Sequence, residues 1–162
     1  MVFTGTHVKI RTIMKHFFLM MLVLAACEET FDTPPSAELV AQVKFSSETQ
    51  QDNPVITAYG LEQDSILIAQ VQTDQVNLPL STAESSAFAV LFDSVADTLI
   101  IAHENTLHYQ SVESGFYYEY RIKEISHTSH RINSIVVLDS AVTQTWNENI
   151  ILYITDLPAD AE

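Results

Sequence analysis

Apolar and polar positions alternate with a period of two at the start of the folded part of the chain. Leu39, Ala41, Val43 and Phe45 are interleaved with Val40, Gln42 and Lys44, the spacing that sends successive side chains to opposite faces of a strand. A polar run over residues 46–53 ends this segment before Pro54. The same logic predicts further strands over 55–59, 65–70, 76–80, 86–91, 98–103, 107–112, 116–125, 131–139 and 149–155. Ile66-Leu67-Ile68, Leu99-Ile100-Ile101 and Ile135-Val136-Val137 are short β-branched blocks of the kind that fill buried strands. Asp93, Asp97, Glu104-Asn105 and Ser114-Gly115 fall between blocks and read as turns.

Many short strands separated by turns predict an all-β fold. Each sheet has one apolar face to bury, and a second sheet is the simplest cover, so the expectation is an antiparallel two-sheet sandwich, immunoglobulin-like or similar. An open barrel is the alternative. The chain has no block repeated at fixed period and no heptad pattern, which leaves solenoid and fibrous folds without support.

The first 26 residues follow a different pattern. Lys9, Arg11 and Lys15 precede an uninterrupted apolar run, residues 17–26, which ends at Cys27, the one cysteine of the chain. Ten apolar residues are too few to span a bilayer, but they suit a secretion signal. Leu24-Ala25-Ala26-Cys27 looks like a bacterial lipobox: small residues fit an extended peptidase groove, and the thiol takes the diacylglyceryl group. Met14-Lys15-His16 is an equally good start and leads to the same cleavage. The expected organisation is a lipoprotein signal peptide over 1–26, a lipidated flexible tether over 27–36, one sandwich domain over 37–156 and an acidic tail over 157–162.

Cleavage before Cys27 leaves 136 residues, with Lys44, Arg121, Lys123 and Arg131 set against 21 acidic residues, a formal charge of −17. So acidic a domain lacks the basic surface that nucleic acid requires. It is also repelled by anionic head groups, so it is expected to stand off the membrane on its tether, held by the acyl chains on Cys27. With Cys27 acylated, no thiol remains for disulfide or cysteine chemistry.

Asp64-Ser65-Ile66, Leu78-Pro79-Leu80, Asp97-Thr98-Leu99-Ile100-Ile101, Ser114-Gly115-Phe116 and Ile132-Asn133-Ser134-Ile135 resemble, in order and spacing, a family of small uncharacterised lipoproteins from Bacteroidota. The resemblance covers about residues 39–154. It implies a β-rich envelope domain and brings no activity with it. In that family a cysteine-glycine-phenylalanine element opens a late long strand, and a second cysteine follows the lipobox. Here Ser114-Gly115-Phe116 and residues 30–33 stand in those places. If the two family cysteines pair, both ends of the staple are gone together, and no stray thiol is left in an oxidising compartment.

Candidate chemistry is sparse. His103, Glu104 and His108 bracket a predicted turn, where two imidazoles and a carboxylate would suit zinc or copper. The spacing is unspecific, so exposed polar residues at a hairpin end are the preferred reading, and no metal or other cofactor is expected. His127 and His130 read as a solvated loop. Asp93 and Asp97 are hard oxygen donors of the type calcium takes, without the spacing of a calcium loop. The three glycines, Gly5, Gly60 and Gly115, form neither a nucleophile elbow nor a phosphate-binding loop. Phe116, Tyr118 and Tyr120 alternate with Tyr117 and Glu119, so one face suits the core while the other offers a phenolic ring to a glycan or protein; strand packing with hydroxyls at a wet margin is the favoured reading. Trp146 is either a core anchor or an exposed contact.

Taken together, these features lead to a non-enzymatic, lipid-anchored envelope protein of the outer membrane acting as an interaction or structural module. A small ligand-binding lipoprotein for a metal ion or glycan is the second reading, and an envelope hydrolase the third. The expected partners are membrane lipid through acylated Cys27 and an envelope protein or glycan.

Overall fold

A computed structural model of the protein describes residues 37–47, 52–62, 65–145 and 147–156. All of them belong to one unit, Thr33–Glu162. Cys27, the signal peptide, the tether through residue 36, Trp146 and the acidic tail lie outside the described residues.

Ten strands follow in order: β1 (Glu38–Phe45), β2 (Val55–Gly60), β3 (Ser65–Gln72), β4 (Gln75–Pro79), β5 (Ser85–Phe92), β6 (Val95–Ser111), β7 (Gly115–His127), β8 (Ile132–Val137), β9 (Ala141–Val142) and β10 (Glu148–Ile154). They form a four-stranded sheet of order β4-β1-β10-β8 and a six-stranded sheet of order β3-β2-β5-β6-β7-β9. The expected two-sheet sandwich is what the sequence adopts. One pair departs from the antiparallel rule, since β1 and β10 run parallel in the middle of the smaller sheet. Parallel neighbours need a long connection, and here nearly the whole domain lies between them.

The period-two pattern selects the inward faces. Leu39, Ala41 and Val43 of β1 with Ile150, Leu152 and Ile154 of β10 meet Phe88, Val90 and Phe92 of β5 and Leu99 and Ile101 of β6 in one buried cluster. Each of these Val, Leu, Ile and Phe side chains contributes about 1.5–3 kcal/mol on leaving water. Asn149 interrupts β10 where its register with β1 shifts between Val40 and Ala41. Its Oδ1 accepts the Val40 N–H and its Nδ2 donates to the carbonyls of Asp139 and Ala141, so the irregularity leaves these groups paired.

Two sequence expectations are corrected. Residues 98–103 and 107–112 were expected as separate strands with a turn at Glu104-Asn105, whereas β6 runs unbroken through all but the last of these residues. Polar residues are tolerated mid-strand here because Glu104 faces solvent, with Lys123 at 2.6 Å, and Asn105 bonds backbone carbonyls of the neighbouring loop. Asp97, expected in a turn, is an inward-facing residue of β6 and 1% exposed. The short strand β9, absent from the expected set, pairs with β7 through Tyr120 and Arg121.

Asp97 joins the two sheets. Its Oδ1 accepts the Thr128 hydroxyl at 2.7 Å and the His130 N–H at 2.8 Å, while Oδ2 accepts the N–H groups of Arg131 at 2.7 Å and Ile132 at 2.8 Å. The Thr128 hydroxyl also accepts the N–H of Thr98. One carboxylate on the six-stranded sheet thus fixes the segment that enters β8 of the other sheet. Burial alone pushes the Asp97 carboxyl up, but the Thr128 hydroxyl and the backbone N–H groups of His130, Ile132 and Arg131 outweigh it and hold the group below its ordinary 3.8.

A carboxylate with a depressed native pKa contributes stability above the unfolded-state value, and that contribution is lost as pH falls through the native value. Urea unfolding followed from neutral pH into the acid range should therefore show an acid loss of stability that Asp97→Asn largely removes. The same variant should lose about 2–3 kcal/mol at neutral pH, because its amide NH₂ faces donors that need an acceptor. A variant that unfolds at the wild-type urea concentration at neutral pH would dismiss Asp97 as the clamp.

Candidate functional site

Alternation along β6 carries Asp97, Leu99, Ile101 and His103 inward, so the apolar centre of the strand has a buried polar residue at each end. His103, 3% exposed, organises the second end. Its Nε2 lies 3.0 Å from Ser86 Oγ on β5 and its Nδ1 lies 2.7 Å from Asn105 Oδ1. Asn105 Nδ2 donates to the carbonyls of Thr82 at 2.6 Å and Ala83 at 2.8 Å, which leaves Oδ1 as the acceptor. The proton of the His103 ring therefore sits on Nδ1, and Nε2 accepts from the Ser86 hydroxyl. Ser86 Oγ in turn accepts the Ser81 N–H at 2.8 Å.

Serine, imidazole and amide here occupy the relative roles of a nucleophilic triad. Two features direct the array to another end. Ser86 is 3% exposed, and its oxygen is already engaged by a backbone donor. Every terminus of the relay falls on residues 81–83, the start of the connection from the smaller sheet to β5, so its effect is to fix that connection. Tyr120 adds to the same end: its ring meets His103 edge-on at 5.2 Å and its hydroxyl donates to the Leu80 carbonyl at 3.1 Å. Burial, and then the neighbouring Tyr118, push the Tyr120 phenol up, which keeps it a donor.

A shallow cleft of about 100 Å³ opens beside Ser86, lined by Gly60, Ser65, Leu67, Pro79 and Ser81 among others. Small-molecule sites run to about 300–1,000 Å³, so this cleft has room for a few waters only.

The residues singled out as metal candidates are not brought together. His103 points into the core with both ring nitrogens engaged, Glu104 points outward to Lys123, and His108 lies 3.2 Å from Glu119 and stacks on Tyr117. The turn that was expected to gather them is continuous strand. Among the described residues no three His, Cys, Asp or Glu side chains converge. Asp93 and Asp97 also face donors: Asp93 accepts the Val55 N–H and pairs with Arg131 at 3.1 Å, and a guanidinium beside a carboxylate occupies the place a calcium ion would need. Arg131 is 1% exposed, and among the described residues its Nε and Nη2 have no hydrogen-bond partner. His127 bonds the Thr128 carbonyl and His130 the Ala96 carbonyl. Cys27 and Trp146 lie outside the described residues.

Sequence reasoning missed the Ser86, His103 and Asn105 array. The available signal was the register: Ser86 and His103 sit in phase with the apolar residues of β5 and β6, and a polar residue on an apolar face has to find a partner there.

The fold and its polar ends define an all-β two-sheet sandwich whose buried chemistry serves the loops at its two ends. Residues 55–154 match the Family of unknown function (DUF6452), and the chain belongs to that family. No curated protein and no solved structure matches it.

Nitrogen-15 shifts of the His103 ring should show the proton on Nδ1. Asn105→Ala should cost about 1–3 kcal/mol by stranding the imidazole N–H and should speed amide exchange over residues 81–84. A ring protonated on Nε2, or unchanged exchange in that connection, would contradict the assigned relay.

Proposed function

We propose that this protein is a lipid-anchored cell-envelope protein of Bacteroidota that acts as an interaction or structural module and performs no catalysis. The observation that carries the proposal is Leu24-Ala25-Ala26-Cys27 after a basic and then apolar leader. Acyl chains on Cys27, at roughly 0.8 kcal/mol per buried methylene, hold the amino terminus in the bilayer. Glu28-Glu29 directly after the cysteine favours the outer membrane.

A non-catalytic role is supported by how the polar groups of the array are used. Ser86, His103 and Asn105 are all committed to one another and to the connection before β5, and the cleft beside them is too small for a metabolite.

Two measurements test the proposal. Cys27→Ala, or treatment of the host with globomycin, should release the chain from the membrane fraction and leave it without the acyl mass. Retention of the Cys27→Ala chain in membranes rules out the anchor. A fluorophosphonate probe on the purified protein should leave Ser86 unmodified, and labelling there would move the reading to a hydrolase.

A further inference from the structure

The β6–β7 hairpin outruns the sandwich. β5 pairs with β6 only as far as Ser85 opposite Ala102, β9 reaches β7 only at Tyr120 and Arg121, and β6 continues to Ser111. Beyond Asn105, which pairs with Tyr120, six residues of β6 rise about 20 Å as a two-stranded ribbon. A ribbon of two strands is marginal in water, and this one carries a large apolar face. Leu107 pairs with Tyr118 and Tyr109 with Phe116, so all four side chains lie on the face that holds His103 and Tyr120 in the core. There it has lost its cover: Tyr109 is 57% exposed, Phe116 64% and Val112, in the turn, 86%. The rings of Tyr109 and Phe116 pack together at 5.3 Å.

The ribbon points toward the end of the domain where β1 begins. Glu38 pairs with Pro79, and the next residue, Leu80, takes the Tyr120 hydroxyl at the base of the ribbon. The chain that joins Cys27 to the sandwich therefore enters at this same end. Nine residues lie between Cys27 and Ala37, and the ten extended steps from one to the other reach about 35 Å, more than the length of the overhang. The face formed by Leu107, Tyr109, Phe116 and Tyr118 carries no carboxylate: Glu119 lies on the opposite face of the ribbon, 3.2 Å from His108, and Glu113 lies in the turn, while residues 105–119 contain neither Lys nor Arg.

We propose that the overhanging end of the β6–β7 hairpin, through Leu107, Tyr109, Val112 and Phe116, rests in the interfacial layer of the bilayer that holds Cys27. This inference rests on the lipid-anchor reading above. Tyr suits that layer, since its ring enters while its hydroxyl stays wet, and Phe and Leu supply the apolar contact beneath it. Insertion by an untethered domain would have to overcome the free energy of bringing it to the surface, whereas the tether already keeps the hairpin at high local concentration there. The strongly acidic domain thus meets the membrane through an aromatic face without carboxylates instead of standing off it along the whole tether.

The test uses the mature acylated protein in phosphatidylcholine vesicles containing a nitroxide-labelled lipid. With Cys27 acylated, Val112→Cys provides one thiol for an environment-sensitive fluorophore, and Ser94→Cys, in the β5–β6 turn at the opposite end, is the control. The fluorophore at position 112 should shift to the blue and lose roughly half its emission to the nitroxide, as expected for a group at interfacial depth, while that at position 94 stays aqueous. Adding Tyr109→Ser and Phe116→Ser should abolish the difference. A chain that floats with the vesicles yet is equally aqueous at both positions overturns the docking and leaves the anchor standing. A chain that fails to float overturns both. A blue shift without vesicles, or one that grows with protein concentration, assigns the face to the chain itself or to a second copy and also overturns the docking.

Discussion

The carboxylate of Asp97 is the interaction on which the two-sheet arrangement most depends. Sheets in a sandwich are held by apolar contact, which is strong but does not choose a register or an angle. Four hydrogen bonds to one buried carboxylate do choose. They place Thr128, His130, Arg131 and Ile132 relative to β6, and so fix where β8 joins the smaller sheet. Burying an ion is costly unless its lone pairs are satisfied, and the depressed pKa of Asp97 records that they are satisfied in the charged form.

β6 repeats the device at its other end. Two apolar residues, Leu99 and Ile101, separate Asp97 from His103 on the inward face, and His103 fixes the connection before β5 much as Asp97 fixes the approach to β8. The strand therefore sets the depth of the core: apolar between residues 97 and 103, polar and committed at both limits. Asn149 plays a comparable part on β10, where it covers the register shift beside β1. Such saturated polar groups add specificity that an all-apolar core lacks.

Most of the strand pattern was legible because alternation is a local property. Residues 39–45, 55–59 and 149–155 were assigned from it and became β1, β2 and β10 with shifts of a residue at their ends. What alternation does not encode is pairing across distance. Nothing local in residues 38–45 announces a parallel partner more than a hundred positions later, and nothing in Ala141-Val142 announces a strand of two residues. Glu104-Asn105 looked like a turn because the partners that make it good strand, Lys123 and the carbonyls of Thr82 and Ala83, come from elsewhere in the chain. Asp97 reads as a turn residue for the same reason: a buried acid looks like a surface acid until its donors are known. The candidate metal set failed on geometry, since neighbours in a strand such as His103 and Glu104 face opposite ways.

The placement of polar chemistry also bears on where the protein's activity resides. Ser86, His103, Asn105, Asp97 and Asn149 are each bonded to groups of the fold itself, so the interior has spent its reactive side chains on holding loops. The exposed apolar residues, by contrast, lie in a few places: Leu107, Tyr109, Val112 and Phe116 on one ribbon, Val136, Val137 and Leu138 at the end of the edge strand β8, Val55, Leu61, Ile66 and Val71 about the β2–β3 hairpin, and Ile100 on the outer face of β6. Scattered surface apolar side chains need no explanation, but contiguous ones on a highly acidic domain do. A ribbon that continues the core face past the opposing sheet presents aromatic residues of the kind that mark an interaction surface. On the lipid anchor proposed above, the bilayer is what that surface meets.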